Sequence, residues 1–527
     1  MPPPEIAAGV VEHPEISSGP TTHPELEVEE VKRLAIRGVG SMFMRSLGQR
    51  GMQMVGNVLL ARWLAPKTFG LYAIVSFIVG LAGFLSDLGL GASLIQRREQ
   101  LTENDLRTAF SLSLMLNVVV VGALMAVSSP LAHMLHGGDN LLALRIMVMT
   151  ILFSTFTAIP SIRLERALRF TSLSFADLAG QVAYLAVALP LAYPYWHHPH
   201  FAETHAAAAV WCFVWATVAS RFVNAAILFG VDRWRPRFGF DRVAMRHMMS
   251  FGLPYQLNGL VNALKDNFVP TFVAVVAGPR AVGFIIWAVG LATNALFLLP
   301  IVQRVTFPAY SRLQHDKAAL KDAIEKSIKW VAATVIPVTF LLAALGRQIV
   351  EHVYGPKWIL GLPSFYLLCI PMINAAYSTV MVSALYGLGR AKTVLRLTMV
   401  WAVAGWALGV PLTFVFHQNG FALAMSIVSW LSFMSVREMN KVVRINFVPE
   451  MVRICVFAGI PAIVIAFSAR FLVHNAFELI AVGGAGLLGY LGLMYLGGEL
   501  NEIKSMIVHA RSPRAKAPEA KAAIADA

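Results

Sequence analysis

The chain has 527 residues, 57% of them hydrophobic and 14% charged, and a mean hydropathy of +0.65. A soluble domain carries about a quarter charged residues, so this chain holds more apolar sequence than one water-facing core can absorb, and lipid is its solvent. Its 43 Lys and Arg against 29 Asp and Glu leave a net charge of +14, which suits nucleic acid, anionic lipid or an anionic substrate until the positives are placed.

In chain order, residues 1–35 are Pro-rich and acidic and read as a disordered tail, with no signal peptide ahead of the first span. Its two echoes, His13-Pro14-Glu15-Ile16 and His23-Pro24-Glu25-Leu26, are too sparse for a metal site. Apolar runs of about 20 residues, enough to cross hydrocarbon, follow near 39–64, 69–86, 109–132, 146–161, 173–196, 206–230 and 249–277. They continue near 282–303, 330–346, 364–386, 394–416, 420–436, 452–470 and 477–497. The expected fold is all-α and polytopic, with about fourteen transmembrane helices and both termini on one side. Residues 36–235 and 236–445 make two six-helix lobes, 446–500 two additional helices, and 501–527 a second disordered tail. Cys212, Cys369 and Cys455 all fall in apolar runs and read as small buried hydrophobes.

With the N-terminus inside, thirty-two Lys and Arg fall in inside segments and six outside: Arg62, Lys67, Arg280, Arg347, Lys357 and Arg470. Five more, Arg45, Arg50, Arg145, Arg221 and Lys265, lie within or at the ends of spans. Lys and Arg accumulate on the cytoplasmic face. The split therefore implies a multi-pass membrane protein with cytoplasmic termini, and it removes any reason to invoke nucleic acid.

Ala65-Pro66-Lys67-Thr68-Phe69-Gly70-Leu71 recurs as Gly278-Pro279-Arg280-Ala281-Val282-Gly283-Phe284, with proline, basic residue and glycine at a constant offset of 213. Both copies are outside turns with six spans between them, so the halves have the same orientation and a path between two bundles is implied.

The spans before these turns are unusually polar. At about 100° per residue, Gln49, Gln53, Ser46, Asn57 and Arg50 fall within roughly 140° of Arg45 on the first span. Lys265, Asn262, Tyr255 and Asp266 fall within about 100° of one another, around Asn258, on the seventh. An ionised side chain at mid-span costs ~2.5–3.5 kcal/mol, so these stripes need water, a counter-ion or a ligand. One reading pairs Asp266 with Arg45 or Arg50 as a structural bridge. The other is a cationic cavity lined by Arg45, Gln49, Arg50, Gln53, Asn57, Asn258, Asn262 and Lys265, with Arg221 adding a charge from the sixth span. The positive surplus favours the cavity, and a phosphate or pyrophosphate would supply the missing negative charge.

The stretch Asn57-Val-Leu-Leu-Ala-Arg62-Trp-Leu-Ala-Pro66-Lys-Thr-Phe-Gly70-Leu-Tyr72, followed by Ser86-Asp87-Leu-Gly89-Leu-Gly91-Ala-Ser-Leu-Ile-Gln96-Arg97, resembles one transporter family. It is the polysaccharide transport branch, the Wzx-type flippases, of the multidrug/oligosaccharidyl-lipid/polysaccharide (MOP) exporter superfamily. Tyr354-Gly355-Pro356-Lys357-Trp358 and Leu388-Gly389-Arg390-Ala391-Lys392 are further echoes, and the resemblance covers roughly 35–500. It implies two parallel pseudo-symmetric lobes in a V-shaped arrangement. It also implies turnover of undecaprenyl-pyrophosphate-linked oligosaccharides for exopolysaccharide, capsule or O-antigen synthesis, beside a polymerase and co-polymerase. The family supplies no catalytic residues and implies no cofactor or metal.

A lipid II flippase of the same superfamily would recognise pyrophosphate similarly. A drug exporter of that superfamily commonly has twelve spans and acidic cavity residues. A membrane-embedded polymerase or ligase would need a large outside loop. The longest here, about 346–363 and 196–205, are short, and His197, His198, His200 and His205 read as solvated interfacial residues. A major-facilitator carrier is disfavoured because the loop Asp87 to Arg98 lacks an Asp-Arg-x-Gly-Arg pattern. Gly387-Leu-Gly389-Arg-Ala391-Lys392-Thr393 fails as a phosphate loop because Ala391 stands where glycine is needed and no strand precedes it. Energy would then come from an ion gradient, the membrane potential or product consumption, with Asp266 the coupling candidate.

Overall fold

The computed structural model describes residues 48–87, 89–96, 101–134, 140–167, 169–197, 203–232, 234–250, 252, 256 and 272–499. Both expected tails, the start of the first span and nearly all of the seventh lie outside the described residues. The chain divides into two compact units, Met1–Met52 and Gln53–Ala527. In the first, residues 48–52 are helical.

Lipid offers backbone groups no hydrogen-bond partners, so apolar segments satisfy themselves as helices, and no strand occurs among the described residues. The helices are α1 (53–63), then α2 (Pro66–Asp87), α3 (Leu90–Gln96), α4 (Glu103–Met134), α5 (Leu141–Met149), α6 (Ile151–Arg166), α7 (Phe170–His197) and α8 (Ala206–Val231). After α9 (242–250) come α10 (Ala274–Thr293), α11 (Leu299–Arg312), α12 (Lys317–Gln348), α13 (Leu362–Gly387), α14 (Ala391–Phe416), α15 (Gln418–Ser429), α16 (Phe433–Asn440), α17 (Val448–Leu472) and α18 (Ala476–Leu496). Among the described residues twelve segments are long and apolar enough to span a membrane. They coincide with every predicted span except the first and seventh, the two that are incompletely described.

Two expectations need correction. The ninth span, placed at 330–346, is the inner part of a helix beginning at Lys317. Asp316 caps that helix through the backbone N–H groups of Ala318 and Ala319, each at 3.0 Å, and exposed Lys321–Glu325 and Asp322–Lys326 pairs line its first turns. Hydropathy alone sees only the apolar remainder. The outside connection 346–363 is likewise no open loop. It is a π turn (Ile349–Tyr354) and a 3-10 turn (Pro356–Gly361), with Gly355 at φ 99° between them and Trp358 fully buried.

The predicted outside turn after the seventh span lies inside α10. Gly278, at φ 79°, breaks the helix there, and Pro279 starts the next turn, the position where its fixed φ and missing N–H cost least. Pro66 opens α2 in the same way. The largest apolar cluster joins α2, α10 and residues 350–369, so the two halves share a core around these turns. A second cluster holds α12, α13 and α17 together in the C-terminal half, with α18 packed on α17 and α12. Large apolar side chains such as Val403, Phe467, Phe471 and Leu488 stay about 70–80% exposed, as lipid-facing residues do. Cys212 and Cys369 are buried, while Cys455 is half-buried.

Candidate functional site

Of the nine proposed cavity residues, Arg45, Asn258, Asn262 and Lys265 lie outside the described residues, as does Asp266. Gln49 is half-buried and Arg50 exposed in the first unit. In the second unit Gln53 and Asn57 on α1 and Arg221 on α8 are exposed. No hydrogen bond or ion pair joins any of these three to another described residue, so the structure does not assemble them into one constellation. Arg145 donates through Nε to the Ser128 hydroxyl at 3.2 Å. His197 packs edge-on against Tyr193, with ring centroids 5.2 Å apart, and His205 Nδ1 lies 2.9 Å from the Thr204 hydroxyl. No metal-binding group of His, Cys, Asp and Glu occurs among the described residues.

What the structure does build is a pair of seams between the halves. At the outer seam the two sequence repeats meet reciprocally. A Cβ on Gly70 would lie 1.6 Å from the Pro279 carbonyl oxygen, and one on Gly283 would lie 1.9 Å from the Pro66 carbonyl oxygen. Backbone touches backbone, and only glycine leaves room.

The stretch His352–Trp358 locks onto the end of α1 beside this contact. Arg62 Nη1 donates to the His352 and Val353 carbonyls at 3.1 and 3.0 Å, in the π turn that ends α12. A cation suits such a terminus, where carbonyls lack helical partners and the dipole is negative. In return Lys357 Nζ donates to the Arg62 carbonyl and Trp358 Nε1 to the Ala61 carbonyl, both at 2.8 Å. The Trp358 ring stacks on Trp287 at 5.5 Å and meets Phe69 edge-on at 5.4 Å. Arg280 and Glu203 add an exposed ion pair at 3.6 Å.

A second seam is seen at two points among the described residues. The Gln256 amide donates to the Phe84 carbonyl. Gly89, at φ 68°, lies where a Cβ would come within 2.4 Å of the Gly252 carbonyl oxygen. The sequence singles out the Pro–basic–Gly turns and the stretch Ser86–Arg97 as motifs without revealing what they face.

Away from both seams, Lys329 on α12 is buried. It reaches Glu499 at 2.5 Å and Glu450 at 3.4 Å, and Glu499 also pairs with Arg453. By sequence Lys329 is one of the basic residues of the inside segments, and a carboxylate 170 residues away leaves no local trace. Burial pushes the Glu499 carboxyl up, but hydrogen bonds from Lys329 and Arg453 outweigh that and hold it below the ordinary carboxylate range.

Among the described residues these features define an all-α fold with twelve helices apolar enough to span a membrane, whose halves meet through paired backbone contacts. The profile of the polysaccharide biosynthesis protein family (Polysacc_synt_3) matches residues 59–363, more than half the chain, and the chain belongs to that family. The chain is 28% identical over 327 residues to the lipopolysaccharide biosynthesis protein WzxC of Escherichia coli strain K12, covering 61% of this chain and 63% of that protein. It is 27% identical over 317 residues to the teichuronic acid biosynthesis protein TuaB of Bacillus subtilis strain 168, covering 59% and 62%. The chain thus spans somewhat less than two thirds of either relative. The succinoglycan biosynthesis transport protein ExoT of Rhizobium meliloti strain 1021 is 23% identical over 380 residues, covering 70% and 72%.

Among solved structures, lipid II flippase MurJ in an inward closed conformation superposes with a TM-score of 0.66 at 13% identity, over 87% of this chain and 98% of that one. An inward-facing multidrug resistance MATE family transporter of the MOP superfamily gives 0.52 at 15% identity, over 78% and 98%. The likeness to both is one of fold.

Proposed function

We propose that this protein flips an undecaprenyl-pyrophosphate-linked oligosaccharide across the bacterial inner membrane for exopolysaccharide, capsule or O-antigen synthesis. The observation that carries the proposal is the two-ended closure. Halves belonging to a polysaccharide biosynthesis family meet through glycine backbone contacts at both seams. Alternating access follows if one seam opens while the other stays shut. Arg45, Gln49, Arg50, Gln53, Asn57, Asn258, Asn262, Lys265 and Arg221 would hold pyrophosphate and sugar by charge-assisted hydrogen bonds, the prenyl tail remaining in lipid. Asp266 would couple an ion. The protein performs no covalent step, its basic face is cytoplasmic with both termini there, and product passes to a polymerase and co-polymerase.

The test is a deletion strain complemented with wild type, Arg45→Ala or Lys265→Ala at equal membrane levels. The expected result is loss of polymer with accumulation of lipid-linked repeat units, identified by mass spectrometry. Full polymer yield from both variants would remove the cationic cavity, and accumulation of lipid II instead would replace the substrate.

A further inference from the structure

The connection between the halves, residues 234–246, carries a pattern that translocation does not use. Its extended part, 234–241, is pinned along the first turns of α4. Gly239 N donates to Ser111 Oγ at 3.1 Å and Asp241 N to Thr108 Oγ1 at 3.0 Å, and Gly239 sits against the Arg107 side chain. Trp234 is buried against Phe110, with ring centroids 5.8 Å apart. Phe238 also reaches Phe110 at 5.9 Å, yet it remains 76% exposed, and Phe240 and Val243 are 62% and 78% exposed.

Arg235, Arg237, Arg242 and Arg246, all exposed, interleave with these apolar residues. Arg235 lies over the Phe229 ring at 4.8 Å; none of the four has a carboxylate partner among the described residues. The nearby acids are engaged. Asp232 pairs with Arg163 at 3.0 Å, and the Asp241 carboxylate caps α9 through Val243 N and Ala244 N at 2.8 and 3.3 Å.

The depth of the strap follows from its anchor. Thr108 and Ser111 lie roughly 8–12 Å above the start of α4 at the helical rise, where its polar first turn (Glu103, Asn104, Asp105, Arg107) gives way to apolar sequence. That is the headgroup–acyl boundary. Exposed phenylalanines there enter the acyl region, and arginines beside them meet phosphates.

We infer that residues 234–246 form a docking strap for anionic phospholipids of the leaflet on the basic face, Phe238, Phe240 and Val243 inserting beneath headgroups held by the four arginines. This needs only the spanning topology and stands whatever the cargo.

The test uses the full chain purified in detergent and exchanged into mixed phosphatidylcholine and phosphatidylglycerol. Retained lipid is counted by native mass spectrometry, and a photoactivatable phosphatidylglycerol is mapped by peptide sequencing. Wild type should retain phosphatidylglycerol preferentially, lose that preference in high salt, and be labelled within 234–246. The variant R235Q/R237Q/R242Q/R246Q should retain about ten-fold less phosphatidylglycerol with unchanged phosphatidylcholine, whereas the four Arg→Lys changes should keep the preference. The control K317Q/K321Q/K326Q should behave as wild type. Label mapping elsewhere, undiminished retention by the Gln variant, or an equal loss in the control would overturn the strap. The mapping arm uses wild type alone, so it decides even if the Gln variant does not fold.

Discussion

The outer seam and the Lys329 cluster both join segments far apart in sequence, but with opposite chemistry. At the seam, cations and an indole donate to backbone carbonyls of the other half, and glycines bring neutral backbones together. Each such hydrogen bond contributes a net ~0.5–1.5 kcal/mol, and its separated partners find water when the seam parts. Around Lys329, buried charges satisfy one another, and separating them strands a charge in a low-dielectric site. Water can replace the bonds of the seam, whereas the charges of the cluster hold α17 and α18 on α12.

The strongest way to break this contrast is Lys329→Met. It leaves the buried Glu499 with Arg453 as its remaining cation, so the loss is a part of the ~3–5 kcal/mol that stranding one partner of a buried pair costs. We expect a large drop in thermal stability in detergent, mostly recovered in K329M/E499L because neither charge then remains. If K329M melts like wild type, the cluster is not a tie.

Gly70→Ala and Gly283→Ala probe the seam itself. A methyl group at either position collides with backbone, which no rotamer change relieves, so the halves must separate there. With Cys212, Cys369 and Cys455 replaced by alanine, a cysteine at buried Ala281 should react slowly with a membrane-impermeant maleimide. Either glycine variant should raise that rate strongly without lowering thermal stability as K329M does. An unchanged rate would show that the seam is static. Arg62→Gln should raise the same rate less, because it removes bonds worth together ~1 kcal/mol after allowance for the exposure of Arg62.

The legibility of these two regions differed for a physical reason. Spans are imposed by lipid on roughly 20-residue windows, so apolar runs marked them, and the glycine seam left a local trace in two matched Pro–basic–Gly turns. What stayed hidden was pairing at a distance. Lys329 looked like one more basic residue beside a span because nothing local names Glu499. Trp358 looked like part of an exposed loop because its burial depends on Phe69 and Trp287 from other helices. The helix from Lys317 was cut short because its first turns are amphipathic and hydropathy ignores capping. The polar stripes on the first and seventh spans are a periodicity reading, and what such a stripe faces depends on neighbours that periodicity does not identify.

The smallest effect is a pH dependence confined to the cluster. Glu499 has a depressed folded carboxyl pKa, so its contribution is fully present above the unfolded carboxylate value of about 4.3 and is lost as pH falls through the folded value. Melting temperature near neutral pH should therefore not register Glu499. The stability difference between wild type and K329M/E499L should stay level from about pH 7 to 5 and change only in stronger acid, as the carboxylate that holds Lys329 and Arg453 takes up its proton. The seam variant R62Q should leave that acid dependence untouched, since the bonds it removes go to backbone carbonyls. A shift of its acid limb would mean that seam and cluster are one cooperative unit.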